Sequence, residues 1–336
     1  MYINYIPLLA SEIALSLYPQ LIKLVPTTIE IQVAIRCITY TVLAIIGYYI
    51  TNTNPNPNLN ALSFTTTSIV MGLVNIIHII SSYICFNTLS SGVGFSIFYI
   101  YPIFNLLGRT LLYNEKINFI NYIYMFIAIL GVYLIYKNNK DKDKDKFPEH
   151  TPETLDTTLD TTTKNIKNIH KKDKFVNIDI AILNTKNTSI GVGAGIVSAL
   201  TESIIYFMVK DNPISVSPFI QLLKTYLLGG ILSVFYLLNN ITTNTYTNTY
   251  TNSFLDLDYH YLITLILFNA IIGFVGYLLR FIMIPKLSTL LFNSLIFIGV
   301  IFSYIWGYIL SNEPITYNNL SGTLLILFSI FLINKT

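Results

Sequence analysis

Four ionisable side chains stand inside apolar stretches where charge is costly. Ser11-Glu12 and Thr201-Glu202 occupy matching places in two separate apolar runs. Each run is followed by a second that carries a base, Arg36 in one case and Lys224 in the other. A charged side chain at the centre of a membrane-spanning helix costs ~2.5–3.5 kcal/mol on insertion scales, so keeping four of them needs a reason. Two reasons are open. Glu12 with Arg36, and Glu202 with Lys224, can be interhelical ion pairs that only hold helices together. Alternatively they line a central cavity in which the cation holds an anionic group of a ligand and the carboxylate takes a proton or an ammonium group. The planar fork of Arg36 suits bidentate binding of a carboxylate or phosphate, whereas Lys224 acts as a point charge.

Other polar residues in apolar runs add weaker candidates. Tyr101 and Asn105 are four apart and so share a helix face, and Pro102 beside them frees a backbone carbonyl. Asn293, Ser294 and Ser303 stand in the related run near the C-terminus. Each can equally be an interhelical packing contact or hydrogen bond. His78 reads as a packing residue or a site residue, and Arg280 is near enough to its helix end to snorkel to the interface. Glu115 and Glu313 precede apolar runs and read as helix-start caps. Cys37 and Cys85 lie within apolar runs as small hydrophobes. The chain has no HExxH, GxSxG, P-loop or Cys/His cluster, so no enzyme, metal or cofactor is expected.

The elements that position these residues are membrane spans. With a mean hydropathy of +0.59, 53% hydrophobic and only 11% charged residues, the chain cannot cover a soluble surface of its size. A spanning helix needs ~20 largely apolar residues, and such runs follow one another almost end to end. Helices are expected near Asn4–Val25, Thr28–Ile50, Ser63–Asn87, Ser91–Tyr113 and Ile117–Tyr136. A second set is expected near Ser189–Lys210, Pro213–Leu238, His260–Ile284, Leu287–Leu310 and Ile315–Ile333.

These two sets are copies. Leu89–Lys137 returns without a gap as Leu287–Lys335, at an offset of 198 fixed by Asn114-Glu115 against Asn312-Glu313. Ser90, Ser96 and Asn121 recur as Ser288, Ser294 and Asn319 in that register, which chance among apolar residues does not supply. An odd number of crossings per copy forces the second to enter from the opposite side. The fold class expected is therefore all-α integral membrane, with ten transmembrane helices as two inverted-topology five-helix repeats. That architecture recurs in secondary transporters, with the substrate held near the midplane between the repeats. The domains expected are 1–136 and 189–336, joined by a polar disordered linker at 137–188 that opens with alternating Lys and Asp. Asn239–Tyr259 and Asn52–Asn58 read as further polar loops, the former with the sequon Asn240-Ile-Thr242.

The short loops holding Arg109, Lys116, Lys210 and Lys286 favour cytoplasmic termini by the positive-inside rule, which leaves the long linker outside. The first apolar run is too long for a signal peptide's h-region and contains Glu12, so it reads as the first span.

The run Tyr99-Ile-Tyr-Pro-Ile-Phe104 through Leu111-Leu-Tyr-Asn-Glu115, with Gly131-Val-Tyr-Leu-Ile135, the copy's Ser311-Asn-Glu-Pro314 and Gly322, resembles the drug/metabolite transporter superfamily in its EamA-like branch. Arg36 resembles that family's basic residue in helix two. The resemblance implies ten helices, a central cavity and peripheral fifth and tenth helices. The chain lacks the ninth-helix lysine of the related sugar-phosphate translocators, which argues against a phosphorylated sugar. The function expected is a secondary transporter of a small polar metabolite, by exchange or proton coupling. The alternative is a non-transporting scaffold or receptor on the same fold. The candidate substrate-binding residues are Glu12, Arg36, His78, Tyr101, Asn105, Glu202, Lys224 and Asn293. The expected partners are a small-molecule substrate and the lipid bilayer, with a homodimer left open and no nucleic acid.

Overall fold

The computed structural model describes residues 5–51, 65–114, 116, 118–146, 188–211, 216–246, 257–333 and 335. The first group of helices is α1 (Ile6–Leu15), α2 (Tyr18–Leu24), α3 (Ile29–Thr51), α4 (Thr66–Thr88), α5 (Ser91–Phe98), α6 (Tyr101–Tyr113) and α7 (Phe119–Lys146). The second is α8 (Thr188–Lys210), α9 (Pro218–Tyr246), α10 (Tyr259–Leu267), a π segment (Phe268–Phe274), α11 (Val275–Met283), α12 (Thr289–Leu295), α13 (Ile298–Ser311) and α14 (Tyr317–Ile333). No strand occurs among the described residues. Eight helical stretches are long and apolar enough to cross a membrane. The two remaining expected spans are a broken pair, α1 with α2, and the shorter α14.

Polarity is reversed from that of a soluble protein. On α3, Gln32, Arg36 and Thr41 are buried while Val42, Ile45, Ile46, Tyr49 and Ile50 face outward. A water-facing surface of that kind would be an aggregation liability, whereas against lipid tails it costs nothing.

Three expected spans are broken. Ser16-Leu17 separates α1 from α2, and Tyr99-Ile100 separates α5 from α6. Pro19 and Pro102 sit in the first turns of α2 and α6, where a missing N–H is tolerated and a continuing helix is not. Ile296-Phe297 breaks α12 from α13 at nearly the same point of the copied block, without a proline. The interruption thus belongs to the duplicated unit, and Pro102 reinforces it in one copy. The shared anchor also has a structural reason: Asn114 (φ 54°) and Asn312 (φ 49°) both end their helices in the left-handed region. Asparagine adopts that conformation more readily than other residues with a Cβ.

Polar composition misled two boundaries. Helix α7 runs through Lys146, so the first residues assigned to the linker continue the helix. Similarly α9 runs to Tyr246, taking in the start of the Asn239–Tyr259 loop and its sequon. Residues 147–187 and 52–58 lie outside the described residues, as does Glu115.

The two halves interleave. Helix α1 packs along α11, and α8 packs along α4, so the first helix of each half lies on the third of the other. Like meets like elsewhere: α3 packs along α9, α5 along α13 and α7 along α14. At the α7–α14 crossing, a Cβ on Gly131 would fall 2.6 Å from the Gly322 carbonyl, and one on Gly322 would fall 2.7 Å from the Gly131 carbonyl. Only two glycines permit that approach.

Candidate functional site

Two carboxylates, one from each half, converge on a single guanidinium. Glu12 on α1 is 0% exposed, Glu202 on α8 3% and Arg280 on α11 1%. Arg280 Nη1 lies 3.1 Å from Glu202 Oε1, and its Nε lies 3.4 Å from Glu12 Oε1. The packing of α1 on α11 makes this possible, with Ser11 Oγ donating to the Gly276 carbonyl at 2.9 Å. Arg280 Nη2 also donates to the Tyr101 hydroxyl at 2.6 Å, and the Tyr99 hydroxyl donates to Glu12. The fourth-span break therefore supplies two tyrosines to one cluster.

His78 closes the other side. Its Nε2 lies 3.4 Å from Glu202 Oε2 and 3.4 Å from the Tyr277 hydroxyl, and its Nδ1 faces the Ser198 carbonyl at 3.2 Å. A proton on Nδ1 would be accepted by that carbonyl, and an ion pair with Glu202 exists only when both ring nitrogens are protonated.

These contacts correct the expected pairs. Glu12 pairs with Arg280 instead of Arg36, and Glu202 pairs with Arg280 and His78 instead of Lys224. The reason is which helices touch: helix one of each half lies on helix three of the other, which puts Glu12 on Arg280 and Glu202 on His78, and Arg280 then reaches Glu202 of its own half from between them. Arg280 does not snorkel, because α1 and α8 bury it from both halves. Lys224 is half-buried on α9 and makes no ion pair among the described residues. Of the weaker candidates, Asn105 and Asn293 do come together, with Asn105 Nδ2 donating to Asn293 Oδ1 at 3.1 Å. Ser203 Oγ donates to Asn105 Oδ1 at 2.8 Å, tying this pair to the residue beside Glu202.

Arg36 is brought elsewhere, into a cage of tyrosines. Its guanidinium carbon lies 4.5 Å from the Tyr18 ring centroid, 5.3 Å from Tyr40, 5.1 Å from Tyr277, 5.8 Å from Tyr83 and 6.0 Å from Tyr226. All five distances are within cation–π range. The cage is itself braced. The Tyr18 hydroxyl donates to Asn269 Oδ1 at 2.7 Å and meets the Tyr40 hydroxyl at 2.6 Å. Asn269 lies in the π segment, a form of helix that often marks functional positions. A cavity with about 20 Å³ open to the centre of a water molecule joins the two centres, bounded by both Arg36 and Arg280 with His78, Tyr18, Tyr99 and Tyr277.

The sequence profile of the EamA-like transporter family matches residues 3–137. That segment of the chain is similar to an EamA-like transporter unit. Together with the eight apolar helical stretches among the described residues, this likeness supports a multi-pass integral membrane protein. A solved crystal structure covers 98% of this chain and 93% of its own, with a TM-score of 0.54 and 10% sequence identity, a likeness of fold alone. No curated protein matches the chain.

Glu12 and Arg36 lie in the matched segment, and Glu202 and Arg280 lie outside it. The tyrosine cage escaped sequence reading, since its members come from α2, α3, α4, α9 and α11. One signal was present: Arg36 and Tyr40 are four apart on one helix and must share a face.

Proposed function

We propose that the protein is a secondary carrier that moves a small polar metabolite by alternating access, with ten crossings in two five-helix units, 1–136 and 189–336, of opposite orientation. An even number of crossings puts both termini on one side, and the short basic loops favour the cytoplasm. The observation that carries this reading is the meeting of Glu12 and Glu202, equivalent residues of the two halves, on Arg280 inside the bundle. A contact made from both halves at one cation changes when the halves rock against each other, as alternating access requires.

The charge count of the cluster supports coupling. Two carboxylates around one guanidinium leave one negative charge uncompensated while His78 is neutral. A proton on Glu12, Glu202 or His78, or an ammonium group from a ligand, cancels it. Buried charge is costly enough that the cluster and its proton or ligand move together.

The test begins with purified protein screened for thermal stabilisation by metabolite classes, since a ligand that binds the folded state raises the unfolding temperature. Uptake of each stabilising compound into proteoliposomes is then measured with and without a pH gradient. The expected result is saturable uptake that falls in Glu12→Gln, Glu202→Gln and Arg36→Gln proteins that still insert normally. Binding without flux in either direction removes the carrier reading and fits a receptor or scaffold.

A further inference from the structure

Arg36 is a buried cation with no buried anion of its own. It is 3% exposed, and among the described residues no ion pair includes it. Glu12 and Glu202 are committed to Arg280 and His78. The five tyrosine rings cradle the guanidinium, and Tyr226 accepts one Nη2 hydrogen at 3.2 Å. Its Nε–H is left without a hydrogen-bond partner. The buried Tyr83 hydroxyl, whose ring is one wall of the cage, lies against the same guanidinium and has no acceptor for its own hydrogen among the described residues. Two unmatched donors therefore stand together on the adjacent helices α3 and α4. Buried donors are nearly always paired, and an unmatched guanidinium N–H on the wall of a cavity, with an unused hydroxyl hydrogen behind it, calls for an acceptor that arrives.

The surroundings narrow that acceptor. Beyond Arg36, the cavity wall is built from Phe86, Phe95, Phe98 and Leu15. Phe86 and Phe95 stack at 5.4 Å, and Phe95 stacks on Tyr99 at 4.9 Å, giving a flat aromatic lining. One uncommitted cation balances one negative charge. A second would face Glu12 and Glu202, whose own charges exceed that of Arg280, so a dianion such as phosphate is disfavoured. A cationic ligand is repelled by Arg36 itself.

We propose that Arg36 and Tyr83 form a subsite for the carboxylate of a small organic monoanion, whose apolar or aromatic body lies along Phe86, Phe95 and Phe98. This rests on the carrier reading for its meaning, although not for its test. The cavity as it stands has room for about a water molecule, so binding of the acid requires its walls to move apart.

The experiment measures thermal unfolding of the purified full chain in detergent with benzoate, 3-phenylpropanoate, benzyl alcohol, benzylamine or inorganic phosphate. The expected result is concentration-dependent stabilisation by the two carboxylates alone. Arg36→Met should abolish it, and Tyr83→Phe, which removes a single hydroxyl, should weaken the apparent affinity by about tenfold, the loss of one hydrogen bond to a charged group. Stabilisation by benzylamine or phosphate instead, no stabilisation by either acid, or carboxylate binding unchanged in both Tyr83→Phe and Arg36→Lys, overturns the subsite. Proteoliposome flux separates this from the carrier reading. An acid that binds through Arg36 but never crosses removes the carrier and leaves the subsite, whereas flux of a cation with no acid binding does the reverse.

Discussion

The Glu313 carboxylate accepts the backbone N–H of Ser91 at 2.6 Å across 222 residues of chain, and so caps a helix in the other half of the molecule. Sequence position alone gives Glu313 the task of capping the helix that follows it. The left-handed Asn312 turns it the other way, onto the first residue of α5, where it also takes the Ser91 hydroxyl at 3.0 Å and pairs with Lys23. Replacing Glu313 by Ala should lower stability by about 1–2 kcal/mol, the worth of a charged N-terminal cap in a partly buried setting. Glu313→Gln should lose less, since an amide oxygen still accepts. Thermal denaturation in detergent checks the order, and equal loss in both variants counts against the cap.

Removing Arg280 leaves Glu12 and Glu202 facing each other without their cation. The Arg280→Met protein should be destabilised by about 3–5 kcal/mol, as for a buried ion pair broken on one side. Adding Glu12→Gln or Glu202→Gln should restore part of that loss, because the second change removes an uncompensated charge. A double-mutant cycle on denaturation free energies measures the coupling, and strict additivity would show that the cluster is not a unit.

Gly273 lies where a Cβ would run into the hydroxyls of both Tyr18 and Tyr40. Gly273→Ala should therefore cost about 1–3 kcal/mol by overpacking, and should disturb the cage while leaving the Arg280 cluster alone. Paired with the ligand assay, it should weaken carboxylate binding without changing the coupling between Arg280 and its glutamates. Unaltered stability would mean that the π segment yields more easily than its contacts imply.

The α7–α14 crossing is set by backbone touching backbone at Gly131 and Gly322, where no side chain can swing aside. Gly131→Val should part these two helices and lower the unfolding temperature, whereas the same change at Gly193, which has nothing within 4 Å, should do little. Comparing the two variants isolates the crossing from the general cost of valine in a helix.

Much of this was legible because the chain repeats itself. Glu12 and Glu202 were recognisable as equivalents from their flanking residues, and the Asn-Glu anchor fixed the register that makes Asn114 and Asn312 structural twins. Helix counting gives the depth of a residue along its own span, but it does not say which helix lies alongside. That is why Arg280, near the end of its helix, reads as a snorkelling residue until α1 and α8 are seen to cover it. The same limit hid the Arg36 cage, since no single stretch of sequence holds more than two of its parts. The break at Pro102 could be read from its ring; its counterpart at Ile296-Phe297 could not, having no proline to announce it.

The interleaving of first and third helices has a consequence for how the molecule is made. Neither half can close its own interior, because each keeps the surface that its partner's leading helix needs. Either half on its own would therefore leave apolar and charged surface of its interior uncovered. Glu12 on α1 finds its cation only on α11, some 268 residues further along the chain. The centre of the protein is therefore shared property, complete only when both halves are in place.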